Sequence, residues 1–565
     1  MRSEYRPLII VAVLSGMAAL IYEISWVRPI QFVLGSTIYT ISVIFSSFML
    51  GLSLGSIISP KLVKRFGSPE RLLIITEIGI ALSAVLMTAS VGLLPSAYSL
   101  IAQVYENFVS FSALSLLLVF GFLLVPTTLM GITWPLFVEL YKKGGKGERI
   151  GMLYSANNLG SIAGALLTGF VLIASVGVTF SIAVAAILNG IAALLLAFSC
   201  TKKLIPLAAA GLVATVLISP FASYDPVYMY RNSFYRPLLD EATTTHSMDV
   251  LFHKEGMYAT VDVLEEGGSV RSLLINGKGQ GGTSVTDMRV NYLLAYLGLL
   301  LTDNPENALI VGLGTGTTAG QLSANVDTKV VEIEPVILET VGYFSSVNRD
   351  VMPNIDLVID DGRKYLLSTD ETFDIIIPEP SDPWQDFSGM LFSKEFFDIA
   401  SGHMSDDGVF IQWVPIYEMS PSDFRSFYAT FASVFPHIEA FANVRPEERP
   451  GPYPTEIILV GSKSDINVDN IEKNFYLLDQ ESRDMLTKVM LHRTLSLRFP
   501  GEDAADRMVF LNIFSSDDME GYGNGYPLIT DDNMLLELST ARNLFRTDRN
   551  GVMKDIMNYI GGHHA

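Results

Sequence analysis

Apolar residues are distributed very unevenly along the chain. Before residue 222 they form long runs, and a bilayer core requires about 20 mainly apolar residues at helical rise. The runs predict membrane-spanning helices at Leu8–Val27, Tyr39–Ile58, Leu72–Leu94, Ser110–Tyr141, Leu153–Ala174 and Phe180–Ser199, with a shorter seventh candidate at Leu204–Ser219. Residues 1–222 are therefore expected to form a transmembrane domain of about seven helices.

The fourth run is too long for one helix perpendicular to a membrane. Pro126, Gly131 and Pro135 within it favour a helix that is tilted, kinked or broken. Lysine and arginine follow the second, fourth and sixth runs, which assigns those loops to the cytoplasm. Seven spans would then place the rest of the chain outside, whereas an eighth pass within Ser110–Tyr141 would keep it inside. The sequence leaves the sidedness open.

A few polar and small residues interrupt the apolar runs. Glu23 and Glu77 require a polar partner or a functional role, because a charge is expensive inside a bilayer. Asn157, Asn158 and Asn189 are candidates for the same polar interior. The faces Gly51–Gly55 and Gly160–Gly164 predict close helix packing.

After residue 222 the pattern changes to alternating short strands and helices. Ala259–Leu264 and Val270–Ile275 predict a β-hairpin, followed by a polar turn at Asn276–Gln280. A helix is predicted at Met288–Leu301. Later strands are expected at Leu357–Ile359, Ile375–Ile377 and Val409–Trp413. Strands that alternate with helices indicate a doubly wound α/β sheet, which binds ligands at the carboxyl ends of its strands.

One segment of this half combines two strands with a glycine turn. Ala308–Val311 leads into Gly312–Gly316, and the next apolar run, Val330–Val331, ends at Glu332. Glycines let the backbone approach an adenosine-bearing ligand, and a carboxylate at the end of the second strand accepts hydrogen bonds from ribose hydroxyls. The segment therefore predicts a nucleoside site.

Two further strand ends carry acids. Asp360 and Asp361 follow the third strand, where a carboxylate can accept a hydrogen bond from an adenine amine. The fourth strand ends in a proline-rich acidic loop that contains Glu379 and Asp382. A carboxylate pair in such a loop can hold an ammonium group and accept its proton.

Charge and cysteine content narrow the classes of function. The formal net charge is −21, and the acidic residues concentrate after residue 222. This field repels nucleic acid and attracts cationic ligands such as amines, although acidity also serves solubility. The single cysteine, Cys200, and seven scattered histidines give no metal-binding spacing. No metal is expected.

In this order, the motifs resemble the spermidine synthase (polyamine aminopropyltransferase) family, and in particular its membrane-fused branch. The resemblance covers roughly residues 250–465, with further matches at Ser15–Trp26, Thr530–Asn533 and Leu535–Glu537. It implies a multi-span α-helical membrane domain followed by an α/β class I methyltransferase-like (Rossmann-like) domain with an N-terminal β-hairpin region. The expected boundaries are 1–222 for the membrane domain, 223–300 for the linker and hairpin, 301–465 for the nucleoside-binding domain and 466–565 for an extension.

The resemblance also implies the roles of individual residues. Glu379 stands at the position of the family's catalytic aspartate. The residues expected to bind the donor are Gln280, Gly312, Gly314, Gly316, Glu332, Asp360, Asp361 and Gly362. Those expected to bind the amine are Asp382, Gln412, Tyr453 and Tyr292.

Three positions depart from the family pattern. Thr315 replaces an aspartate that helps to bind the donor's aminopropyl ammonium, Glu379 is one methylene longer than the usual aspartate, and Asn276 replaces the aspartate of an Asp-Gly pair. Each departure spares the adenosine site and alters the amine site. The class of donor is therefore predicted more firmly than the group that is transferred.

Three hypotheses follow. The first is an integral membrane, multi-pass aminopropyltransferase that transfers an aminopropyl group from decarboxylated S-adenosylmethionine to an amine such as putrescine, with its catalytic domain in the cytoplasm. The second is an S-adenosylmethionine-dependent methyltransferase with a lipid-linked or other membrane-delivered acceptor. The third is a polyamine transporter or sensor. The resemblance also implies that a homodimer could form through the soluble domain.

Overall fold

The computed structural model describes residues 6–104, 107–142, 147–222, 229, 247–379, 382–385, 388–443, 453–491, 503–543 and 548–563. The predicted linker falls mostly on residues 223–246, nearly all of which lie outside these ranges. The chain divides into two compact units. The first consists of Met1–Thr245 and His253–Thr260, and the second of His246–Phe252 and Val261–Ala565.

The first unit is helical. Its described α-helices are α1 Arg6–Leu34, α2 Ile38–Phe66, α3 Pro69–Ala89, α4 Leu94–Val104, α5 Phe108–Lys142, α6 Gly147–Leu167, α7 Ile173–Cys200 and α8 Ile205–Ile218. In the described part of the chain, six helical stretches are long and apolar enough to cross a membrane. One of them, Ile150–Cys200, combines α6 and α7 through a π-helical segment at Thr168–Leu172.

Three details of this unit differ from the sequence-based expectations. Helix α5 is continuous although it contains Pro126 and Pro135, so the hypothesis of an eighth pass within Ser110–Tyr141 is wrong. Helix α4 was not predicted, because its 11 residues are too few for a span. The expected gap between the fifth and sixth spans is reduced to a non-helical residue, Gly177, with φ 79°.

Glycines allow α1 and α6 to approach each other very closely. A Cβ atom on Gly160 would lie 2.1 Å from the carbonyl oxygen of Val13, and one on Gly164 would lie 2.3 Å from that of Met17. Gly55 on α2 makes a similar approach to the backbone of α5. The glycine faces therefore pack backbone against backbone, as small residues do between apolar helices.

The acid on α3 has polar partners from two other helices. Asn189 donates a hydrogen bond of 2.6 Å to Glu77, and Tyr22 donates one of 3.0 Å to Asn189. All three residues are buried. The predicted association of Asn189 with a buried acid is therefore confirmed for Glu77.

Most of a four-stranded sheet belongs to the second unit, and its strands are, in order, β1 Met248–Glu255, β2 Thr260–Glu266, β3 Val270–Ile275 and β4 Lys278–Gly282. Strands β2 and β3, and β3 and β4, pair antiparallel. Asn276 and Gly277 have φ values of 51° and 82°, which is the backbone of a tight hairpin turn that favours Asn-Gly. The sequence-based turn at Asn276–Gln280 was therefore too long. Lys278 and Gln280 lie on β4, whose register with β3 shifts between Gly279 and Gly281.

An eight-stranded sheet forms the rest of the unit's framework. Its further strands are β5 Asn307–Val311, β6 Asp327–Glu332, β7 Asp356–Ile359, β8 Phe373–Pro378, β9 Met404–Val414, β10 His437–Asn443, β11 Glu456–Ser462 and β12 Asn512–Ser515. The strand order is β12-β10-β11-β9-β8-β5-β6-β7. Strands β7, β6, β5, β8 and β9 are parallel, and β11, β10 and β12 are antiparallel to their neighbours. The strand order reverses between β5 and β8, where such sheets bind ligands.

Helices cover this sheet. They are α9 Val285–Leu301, α10 Thr317–Ser323, α11 Ser345–Asn348, α12 Gly362–Ser368, α13 Lys394–Gly402, α14 Pro421–Ala432, α15 Asn470–Phe475, α16 Gln480–Met490, α17 Ala504–Phe510, α18 Leu535–Asn543 and α19 Gly551–His563. Strand residues alternate between two apolar clusters: Ile310 and Ile377 belong to one, and Leu309 and Ile376 to the other. Apolar side chains on both faces explain why these strands are nearly continuous hydrophobic runs.

Candidate active site

The glycine turn lies at the carboxyl end of the central strand β5. Gly312, Gly314 and Gly316 have φ values of 102°, 52° and 75°, a region that side chains other than glycine rarely adopt. Gly316 immediately precedes α10. The turn thus provides the close backbone approach expected of a nucleoside site.

Glu332 is buried at the end of β6, beside that turn. Its carboxylate accepts hydrogen bonds from the backbone N–H groups of Leu313 and Glu334, at 2.7 and 2.8 Å. Burial raises the pKa of Glu332 while these two donors oppose the increase. Because each carboxylate oxygen can accept more than one hydrogen bond, the carboxylate is held in place and can still accept from ribose hydroxyls.

The acids after β7 have structural partners. Asp361 accepts a hydrogen bond of 2.8 Å from the backbone N–H of Lys364, which caps α12. Asp360 pairs with the ammonium of Lys364, and this pairing lowers the pKa of Asp360. A Cβ on Gly362 would lie 2.2 Å from Val311. The three residues follow β7, the strand next to β6, but helix capping already uses part of the carboxylate capacity.

Glu379 follows β8 and lies beside the glycine turn. A Cβ on Gly312 would be 3.1 Å from the Glu379 carbonyl oxygen, and one on Gly314 would be 3.9 Å from its Oε2. The Oε1 atom is buried and has no hydrogen-bond partner among the described residues. Burial raises the pKa of Glu379 to about 7, a hydrogen bond from Thr318 opposes the increase, and the charge of Glu332 adds to it. A carboxyl group with this pKa can take up and release a proton near neutral pH.

Asp382 belongs to a buried charged cluster that the sequence did not indicate. The ammonium of Lys278 contacts Asp382 and lies 4.0 Å from the Oε1 atom of Glu418 and 5.1 Å from the centre of the Trp384 ring. Tyr417 donates a hydrogen bond of 3.3 Å to Asp382, and the Trp384 indole donates one of 2.7 Å to Glu418. We call Lys278, Asp382, Trp384, Tyr417 and Glu418 the acidic cluster.

Two glutamines link this region to β4 and β9. Gln280, on the same strand as Lys278, donates a hydrogen bond of 3.2 Å to Gln385. Gln412 is fully buried on β9 and donates to the carbonyl of Trp413, whereas its Oε1 has no partner among the described residues. Buried amide oxygens are normally hydrogen-bonded, so Gln412 retains capacity for a ligand.

The two predicted tyrosines have different surroundings. Tyr453 is half-buried and packs on the apolar cluster that contains Phe392. Tyr292 is buried, stacks edge-on against Tyr296 and donates to the sulfur of Met485 at 3.7 Å. Burial raises the pKa of Tyr292 to about 12. The contacts described for Tyr292 do not join it to the acidic cluster, and its role as an amine-binding residue stays a prediction.

Comparison with known proteins agrees with this arrangement. The part of the chain from residue 288 to residue 467, which contains the glycine turn, Glu332, Glu379, Asp382 and Gln412, matches the family described as Spermine/spermidine synthase domain. Residues 288–467 are therefore similar in sequence to spermine/spermidine synthase domains.

Curated relatives of the synthase domain are named polyamine aminopropyltransferase. The protein of Thermococcus onnurineus is 27% identical over 248 residues, which cover 42% of this chain and 86% of the relative. That of Corynebacterium efficiens is 26% identical over 436 residues, which cover 72% of this chain and 76% of the relative. The solved spermidine synthase of Thermotoga maritima is 20% identical, with a TM-score of 0.33 and coverage of 42% and 77%. The family match and the curated relatives make this part of the chain a transferase domain.

Five residues of this region were not predicted as site residues from the sequence: Lys278, Gln385, Trp384, Tyr417 and Glu418. A signal was present for Lys278, because it lies two residues before Gln280 and a strand would place both side chains on one face. The interpretation of Asn276–Gln280 as a turn hid this relation.

Proposed function

We propose that this protein is an aminopropyltransferase that uses decarboxylated S-adenosylmethionine as donor and an amine as acceptor. The observation that carries the proposal is Glu379, a buried carboxyl group with a pKa of about 7 beside the glycine turn. The family match and the names of the relatives support the same class of reaction.

The residues around the turn would divide the work between binding and proton transfer. Glu332 and the glycine turn hold the nucleoside, and Glu379 accepts a proton from the acceptor's ammonium. The free amine nitrogen then forms a bond to the methylene carbon beside the sulfonium, and the carbon–sulfur bond breaks with its electron pair left on sulfur. The products are the aminopropylated amine and neutral methylthioadenosine. Because the leaving group is already activated, the protein mainly orients the partners and deprotonates the amine.

A second candidate keeps the site but changes the donor. Thr315, where the family has an aspartate, is buried, and its hydroxyl hydrogen-bonds with that of Thr317 at 2.8 Å. A hydroxyl group attracts the donor's ammonium less than a carboxylate does. Ordinary S-adenosylmethionine, with methyl transfer to a membrane-delivered acceptor, is therefore the alternative.

We also propose that the first unit spans a membrane. Its long apolar helices have the length and composition of membrane spans. The match to the Corynebacterium efficiens relative covers 72% of the chain, a larger share than residues 223–565 make up, so it includes part of the apolar half. A nucleoside donor favours a cytoplasmic catalytic domain, which requires an even number of passes if the loops rich in lysine and arginine are cytoplasmic.

Calorimetric titration of the detergent-purified chain with S-adenosylmethionine and with its decarboxylated form tests the donor. Mass analysis after incubation with a panel of primary amines tests the reaction. Tighter binding of the decarboxylated form and a gain of one aminopropyl unit would support the proposal. Preference for the carboxylated form, with methylated product only, would replace it by the second candidate.

The pH dependence of the reaction provides an independent prediction. We expect kcat/KM to rise about tenfold per pH unit below about 7 and to level off above it, because only the ionised form of Glu379 accepts a proton. If kcat/KM were constant between about pH 5 and pH 7, the two pH units below the expected midpoint, Glu379 would not be the proton acceptor.

A further inference from the structure

A lysine of the chain occupies the acidic cluster where an amine ligand would be expected. Lys278 contacts Asp382, lies near Glu418 and approaches the face of Trp384. Carboxylates and an aromatic face are the groups with which proteins bind ammonium ligands. The chain itself therefore supplies the ammonium group that this cluster would otherwise take from a ligand.

The position of Lys278 is determined by the strand that carries it. The turn at Asn276 and Gly277 starts β4 directly at Lys278, and β4 pairs with β3. Only 14% of the Lys278 side chain is exposed. Its ammonium is thus part of the built site rather than a solvated surface charge.

The charges of the acidic cluster determine which amines it can bind. Asp382 and Glu418 are both almost completely buried, and the Lys278 ammonium lies near both carboxylates. A second ammonium of a diamine, bound at Asp382, would lie beside a like charge in a site with little water. Like charges repel strongly in such surroundings. An acceptor that carries no positive charge apart from the one at its reacting nitrogen meets no such repulsion.

We propose that Lys278 is a specificity-determining residue that selects acceptors with a single positive charge, at the reacting nitrogen. The acceptor class is a primary monoamine, whether a free amine or the amine of a lipid headgroup. Diamines such as putrescine are disfavoured because Lys278 already holds the place of their second ammonium. This inference rests on the proposed aminopropyltransferase function.

The test compares the purified full-length protein with its Lys278→Met and Lys278→Arg variants. The paired acceptors are putrescine and 4-aminobutanol, which replaces one amine by a hydroxyl group. We expect the unmodified protein to have the higher kcat/KM for 4-aminobutanol. The Lys278→Met change should shift the ratio toward putrescine by at least about tenfold, because it removes a buried charge at nearly constant volume. Lys278→Arg should retain the original preference.

A binding measurement keeps this inference separate from the proposed reaction. Putrescine, titrated in the presence of methylthioadenosine, should bind Lys278→Met at least about tenfold more tightly than the unmodified protein, and should raise the Tm of that variant only. This result is expected even if no amine is ever aminopropylated, in which case the proposed function alone fails. Unchanged putrescine affinity and an unchanged acceptor ratio would overturn the role of Lys278.

Two controls complete the design. Lys473→Met removes an exposed lysine that pairs with Asp303 on the surface, and it should leave both the ratio and the affinity unchanged. Vesicles that contain phosphatidylethanolamine distinguish the two sources of the monoamine. Aminopropylated lipid would identify a headgroup acceptor, and product from the free monoamine alone would identify a soluble one.

Discussion

A Glu379→Gln variant is expected to lose most of its turnover, with kcat reduced by about 10²–10⁴-fold, the usual contribution of a positioned general base. Glutamine has nearly the same shape as glutamate but cannot accept the acceptor's proton. Donor binding should change little, since we propose that Glu332 and the glycine turn, rather than Glu379, hold the nucleoside. Single-turnover rates and calorimetric donor binding would separate the two effects.

The stability of the same variant shows whether its fold is intact. The pKa of Glu379 is raised from 4.5 to about 7 by burial, so ionisation opposes folding. The free energy of unfolding is highest below pH 4.5. It falls by at most about 3 kcal/mol as the pH rises to about 7. The variant should therefore match the unmodified protein at about pH 4 and have the higher Tm at about pH 8.

Glu306→Gln is the matched control, because Glu306 is exposed and precedes β5, at the sheet edge opposite the glycine turn. It should leave kcat, donor binding and Tm unchanged. If Glu379→Gln retained more than about a tenth of kcat, Glu379 would not be the base. Loss of donor binding together with kcat would instead assign it a positioning role.

The second large effect is expected in the helical unit, from Gly160→Ala. The new Cβ would lie 2.1 Å from the carbonyl oxygen of Val13, so α1 and α6 must separate along their contact. Forcing extra atoms into a packed contact typically costs about 1–3 kcal/mol, and sometimes more. We expect a lower Tm in detergent and a lower yield of folded protein, with a larger loss for Gly160→Leu.

Gly151 provides the matched control on the same helix. A Cβ added there would meet open space, and alanine is a better helix former than glycine by about 1 kcal/mol. Gly151→Ala should therefore leave the Tm unchanged or raise it. Equal Tm values for the Gly160 and Gly151 variants would show that α1 and α6 are not packed backbone against backbone.

Much of the second unit follows from local patterns in the sequence. The glycine turn, the acid at the end of β6 and strand β3 were predicted at or near their observed positions, because turn chemistry and strand alternation act over a few residues. The long apolar helices of the first unit were predicted for the same reason, since the length of an apolar run is a local property.

Other features depend on contacts between distant segments. The proline residues of α5 predicted a tilted, kinked or broken helix, and the structure excludes only the broken one, because α5 is continuous. Tyr292 was assigned to the amine pocket, yet its hydroxyl lies against Met485, a residue far along the chain. Neither outcome could be derived from the sequence around these residues, because packing partners decide it.

The sequence alone predicted the class of fold, the glycine turn at one edge of the sheet and the acids of the loop after β8. Only the tertiary structure placed the Lys278 ammonium against Asp382 and Glu418. The reason is that a strand pattern specifies which face a side chain occupies, whereas the charge opposite that face comes from another part of the chain. The conformation of the glycine turn is thus set by residues that are near each other in the sequence. The charge around Asp382 is set by residues that only the tertiary fold brings together.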